Sequence, residues 1–105
     1  MSKNAISIIM GSQSDLEIVG EAIKLLKEFK VGFEVKVLSA HRTPKELAEY
    51  VQKAPKSGIK VFIAAAGGAA ALAGVVASQS TLPVVGIPIE TKSLKGLDSL
   101  LSIVQ

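Results

Sequence analysis

Four apolar runs of strand length punctuate this chain: AISIIM (5–10), FEVKVL (33–38), KVFIAAA (60–66) and PVVGIPI (83–89). Between them the apolar residues recur at helical spacing. In the first gap Val19, Ala22, Ile23, Leu26 and Phe29 fall on one face, with Glu21, Lys24 and Lys27 opposite. Leu47, Tyr50, Val51 and Ala54 do the same in the second gap. An Ala-rich helix over 69–80 fills the third, and SLKGLDSLLSIV (93–104) predicts a last helix. Strands that are apolar throughout are buried on both faces, and alternation with helices supplies the cover. The pattern predicts an α/β fold of the flavodoxin-like kind, three layers α/β/α around a parallel sheet of four strands in the order 2-1-3-4. FEVKVL alternates more than the others, which places it nearer a sheet edge.

Two helix starts are written in local chemistry. Ser14-Asp15-Leu16-Glu17 and Thr43-Pro44-Lys45-Glu46 both have the form of a capping box, the second with proline at the first helical position. With 105 residues, 49% hydrophobic and 20% charged, the chain is one small globular domain. It contains no cysteine and one histidine, which removes disulfides, thiolate chemistry and any ordinary zinc ligand set. The net charge is only +3, the lysines are scattered and aromatics make up 4%, so no nucleic-acid surface is expected.

Residues 61–89 carry no charge at all, yet Gly67-Gly68, Pro83 and Pro88 interrupt them. A spanning helix needs about 20 strongly apolar residues, so no membrane association is expected. The opening MSKNAISIIM lacks a secretory apolar core, and a cytoplasmic protein is expected. The 69–80 helix is small and apolar nearly all round. Such a helix is buried on more than one side, which predicts a second copy of the chain against it, a homo-oligomer.

In open parallel sheets ligands bind beyond the carboxyl ends of the strands. GSQSD, SAHRTP and AAAGGAAA follow the first three strands and would line one crevice. Ser12, Ser14 and the N–H groups of the first helix start suit an anion such as phosphate. Arg42 adds a planar fork of donors, and Asp15 could accept from ribose hydroxyls. Gly67-Gly68 lets backbone approach a ligand, and His41 supplies a proton donor or acceptor near neutral pH. Each motif also has a plainer reading: Ser14, Asp15 and Thr43 serve any helix start, and Gly67-Gly68 any tight turn. Their convergence on one sheet edge is what points to a site. No aspartate ends the central strand, as a receiver domain requires. No tryptophan is present to stack a flavin, and no P-loop lysine motif occurs.

MGSQSD (10–15), SAHRTP (39–44), the AGGAA turn (66–70), LPVVGIP (82–88) and GLDSLLSIVQ (96–105) together resemble the class I PurE family of N5-carboxyaminoimidazole ribonucleotide mutases. The resemblance covers essentially the whole chain. It implies an isomerase of de novo purine synthesis that moves CO2 from N5 to C4 of the aminoimidazole ribonucleotide, without metal or organic cofactor, in a homo-octamer. By position it makes His41 the catalytic imidazole, protonating the carbamate nitrogen and then removing the ring proton. It places Gly11, Ser12, Ser14, Asp15, Ser39, Ala40, Arg42, Ala66, Gly67, Gly68 and Ala69 around the substrate. Two features depart from the family pattern. The usual GGAAHLPG reads GGAAALAG here, with Ala71 and Ala73 for His and Pro. The family pattern also continues past Gln105 into a further strand and helices, so the resemblance implies a single domain over 1–105 without them. A class II carboxylase using free CO2, and a non-catalytic ribonucleotide-binding or assembly fragment, are the alternative readings.

Overall fold

The computed structural model describes residues 4–105. Its strands are β1 (Ile6–Met10), β2 (Phe33–Val37), β3 (Val61–Gly67) and β4 (Val84–Ile89), all parallel, in the order β2-β1-β3-β4. The helices are α1 (Leu16–Glu28), α2 (Pro44–Lys53), α3 (Leu72–Gln79) and α4 (Leu97–Val104), with short 3-10 turns at Gln13–Asp15 and Ala54–Ser57. The expected alternation and strand order are present, and the alternating strand β2 lies at an edge. Among the described residues no helix is long and apolar enough to cross a membrane.

Side-chain alternation on the sheet assigns the two faces. Ile8 and Met10 point to one side, where Val19, Ile23 and Leu26 of α1 cover them. Ile9, Phe62 and Ala64 point to the other, against Leu47 and Val51 of α2 and Leu72, Ala73 and Val76 of α3. Ile103 of α4 packs on this second face. Ser7, level with Glu34 in the β1–β2 register, is a buried polar residue on the α2 side. It is satisfied by the Tyr50 hydroxyl, which donates to Glu34 and so pins α2 to the two strands. Burial first, then the hydrogen bond to Glu34, pushes the Tyr50 hydroxyl's pKa far above its ordinary value.

Several sequence expectations need correction. The capping boxes do not form. Asp15, not Ser14, precedes α1, and the serine that caps is Ser12, whose Oγ accepts the Ser14 N–H at 3.3 Å. Thr43 precedes α2 but turns its hydroxyl back to Ser39, accepting the Ser39 N–H at 2.9 Å and donating to the Ser39 carbonyl at 3.2 Å. Loop closure has taken both side chains that helix capping would have used. Phe29 lies beyond the end of α1 and is exposed, not part of its buried face.

The Ala-rich helix starts at Leu72 rather than Ala69, and its own sheet already buries Leu72, Ala73 and Val76. Its exposed positions are Gly74, Ala77, Ser78 and Gln79, so the large side chains do not require a second copy to cover them. Exposed large apolar side chains lie elsewhere, among them Leu97, Leu100, Leu101 and Val104 along α4, Val85 on the edge strand β4, and Leu16, Ile18 and Leu25 on α1.

Gly86 explains how α4 sits so close to β4. A Cβ there would stand 2.9 Å from Cγ2 of Ile103 and 3.4 Å from the Ala73 methyl. Gly86→Ala should therefore lower stability by about 1–3 kcal/mol through overpacking, read as a lower urea midpoint. An unchanged midpoint would mean that Ile103 does not occupy this seat.

Candidate active site

β1 and β2 end level with each other, β3 and β4 run two residues further, and the residues at these strand ends line a cavity of about 330 Å³. It is lined by Gly11, Ser12 and Asp15 after β1, by Ser39, Ala40 and His41 after β2, and by Ala66 and Gly67 at the end of β3 with Ala69 beyond it. These nine are among the residues the sequence placed at the site. Ser14 and Gly68 do not line the cavity, and neither does Arg42. Ser14 bonds its hydroxyl to that of Ser12 at 2.9 Å. Arg42 donates from Nη2 to the Gly11 carbonyl at 3.2 Å, joining the first two loops at the rim.

The His41 loop is built on one serine. Ser39 Oγ accepts the N–H groups of His41 at 3.2 Å and of Arg42 at 3.1 Å, while its backbone is closed onto Thr43. The loop is thereby held as a compact turn whose side chains project past the strand end. His41 Nε2 lies 3.1 Å from the Ala69 carbonyl. A carbonyl only accepts, so Nε2 carries the hydrogen and the neutral ring keeps its lone pair at Nδ1. The bond spans from the second loop to the third, closing one wall of the cavity around an otherwise exposed imidazole.

The third loop needs its glycines for two different reasons. Gly68 adopts φ +69°, a left-handed conformation that side chains strain, and a Cβ on Gly67 would come within 3.3 Å of Ile89 Cβ. Four further residues complete the lining: Ala71, Leu72, Ile89 and Glu90. Ile89 and Glu90 sit at the carboxyl end of β4, and the strand-end rule applied to PVVGIPI as well would have found them. Ala71, one of these lining residues, lies where the resembled family carries its second histidine.

Asp15 is a lining carboxylate with altered acidity. Burial raises its pKa above the ordinary aspartate value, and the hydrogen bond from the Ser12 backbone offsets this only in part. Among the described residues no group of three or more His, Cys, Asp or Glu could hold a metal ion. The chemistry on offer is an imidazole, two carboxylates, two serine hydroxyls and backbone donors around a small volume.

The AIR carboxylase family model matches residues 5–105. This chain belongs to the AIR carboxylase family. It is 56% identical over 103 residues to the N5-carboxyaminoimidazole ribonucleotide mutase of Pyrococcus horikoshii, covering 98% of this chain and 58% of that protein. The same identity and chain coverage hold for the Aquifex aeolicus protein of that name, of which 62% is covered. It is also 52% identical over 104 residues to the phosphoribosylaminoimidazole carboxylase of Ogataea methanolica, 99% of this chain and 19% of that protein. The Treponema denticola PurE crystal structure superposes with a TM-score of 0.87 at 26% identity, over 95% of this chain and 63% of that one. The chain thus spans less than two thirds of the length of these family members.

The raised pKa of Asp15 has a definite consequence for stability. A folded-state pKa above the unfolded value means that ionising Asp15 costs stability as pH rises through the folded pKa. Asp15→Asn should therefore unfold at a higher temperature than wild type near neutral pH, the difference vanishing below about pH 4. A variant less stable than wild type near neutral pH would show that the carboxylate supports the fold instead.

Proposed function

We propose that this chain acts on carboxyaminoimidazole ribonucleotide as a mutase, moving CO2 from N5 to C4 of the ring in de novo purine synthesis. The observation that carries this reading is the position of His41, the chain's only imidazole, on the wall of a small cavity at the strand ends. Family membership supports the substrate class, and the cavity supplies donors suited to a ribonucleotide: Ser12 and the backbone after β1 for phosphate, and Asp15 for ribose hydroxyls.

In this mechanism His41, as imidazolium, gives a proton to N5 of the carbamate while the N5–carbon bond breaks and CO2 is released. C4 of the aminoimidazole then attacks that CO2, forming the new carbon–carbon bond. The neutral imidazole takes the C4 proton, at the Nδ1 lone pair that Ala69 leaves uncommitted. The proton lent to N5 is recovered from C4, so the ring ends the cycle as it began. An imidazole can serve as acid and then as base in one cycle. Holding CO2 beside the ring within the cavity is proximity catalysis. The readings of a cytoplasmic location, a homo-oligomer and no nucleic-acid partner go with this proposal.

Replacing His41 by Asn should remove turnover in both directions while leaving ribonucleotide affinity within about twofold, because the imidazole moves protons more than it binds. Near-normal turnover would overturn the assignment. A wild-type chain that binds aminoimidazole ribonucleotide without turnover would favour the binding-fragment reading. Arg42 stands at the cavity rim on the Gly11 carbonyl, where its guanidinium can also meet a phosphate held beside Ser12. Arg42→Ala should then weaken that affinity by about 1.5–3 kcal/mol, the loss of one charged hydrogen bond. An unchanged dissociation constant would remove Arg42 from the phosphate site.

A further inference from the structure

The loop that holds His41 is itself held from behind, by α4. Ser99 is, with Ser7, one of two buried polar residues among the described residues. Its Oγ accepts the Gly68 N–H at 2.9 Å and donates to the Ile89 carbonyl at 2.6 Å. Nearly one turn further on, Ser102 Oγ shares its hydrogen between the Gly68 carbonyl at 3.1 Å and the Asp98 carbonyl at 2.8 Å. Both peptide groups of the left-handed Gly68 are therefore bound by one helix. The next residue, Ala69, carries the carbonyl that accepts from His41. Neither serine lines the cavity.

We infer that Ser99 and Ser102 are positioning residues: by gripping Gly68 they fix the Ala69 carbonyl and, through it, the His41 ring. The helix's own pattern favours this over simple packing. α4 turns Ser99, Ser102 and Ile103 inward and leaves Leu97, Leu100, Leu101 and Val104 exposed. Burial of apolar surface alone would orient it the other way. Its start is fixed independently, since Thr91 Oγ1 donates to Asp98 at 2.8 Å and Gly96 takes φ +98° at the turn into the helix. A glycine pair in a loop has the most conformational freedom to lose, and so gains the most order from being bound at both sides of one residue. Ser99 also reaches Ile89, the cavity residue next to Glu90, so one hydroxyl ties the β3 and β4 ends together.

The test needs no turnover, so its outcome is separate from that of the mutase reading. With a single histidine, the carbon-bound ring protons of His41 give one unambiguous set of NMR signals. Ser99→Ala and Ser102→Ala are compared with wild type in the full chain. In Ser99→Ala the Gly68 amide should exchange about tenfold faster, the factor that one lost hydrogen bond carries. The order parameter of the His41 ring should fall, while amides of β1 and β3 keep their protection. Ser102→Ala should move the same two signals in the same direction, and it decides alone should Ser99→Ala fail to fold. An unchanged His41 ring order, or loss of protection spread equally over the sheet, would overturn the inference and leave the serines a purely structural role.

Discussion

β1 is hydrogen-bonded on both sides to a parallel neighbour, with Met10 level with Val37 on one side and Ala65 on the other. Just past those pairs, the Leu38 N–H donates to the Met10 carbonyl at 3.0 Å and the Gly11 N–H donates to the Ala65 carbonyl at 3.2 Å. Pairing of β1 therefore stops at the same height on both sides, while β3 and β4 stay paired two residues further, to Gly67 and Ile89, before they too leave the sheet. Parallel strands force every return path through a helix, so each of these exits is a loop leading into a helix start. The cavity is the space those exits cannot fill. His41, Asp15 and the Gly67–Ala69 turn meet only because this register holds.

Much of that could be read from the residues. The apolar runs at 5–10, 60–66 and 83–89 read as strands buried on both faces and the alternating 33–38 run as an outer one, and the sheet sets β1 and β3 at its centre with β2 and β4 at its edges. The strand-end rule then placed most of the cavity lining. What could not be read was the direction of side chains that had two equivalent uses. Ser14 and Thr43 matched a capping pattern, but loop hydrogen bonds to Ser12 and Ser39 captured them instead. Arg42 was expected in the cavity and reaches across its rim to Gly11. Local competition of this kind is settled by geometry that no spacing rule contains.

The role of α4 was hidden for a different reason. Its amphipathic pattern is clear in SLKGLDSLLSIV, and the ordinary expectation puts the leucines inside. The close approach over Gly86 and the grip on Gly68 instead select the serine face. The exposed stripe of Leu97, Leu100, Leu101 and Val104 is thus the far side of a helix whose near side organises the site. Glu90, at the carboxyl end of β4, joins the lining because β4 ends at the same height as its neighbour β3, with Gly67 level with Ile89.

If the strand-end cavity is the site, a ribonucleotide lands there and nowhere else on the chain. Titrating aminoimidazole ribonucleotide into the labelled chain and following backbone amides by NMR would map it. Shifts should concentrate at residues 11–15, 39–43, 66–71 and 89–90, together with the single histidine ring. Shifts centred on the opposite edge of the sheet, around Gly32, Lys60 and Thr81, or no shifts at millimolar ligand, would contradict this placement.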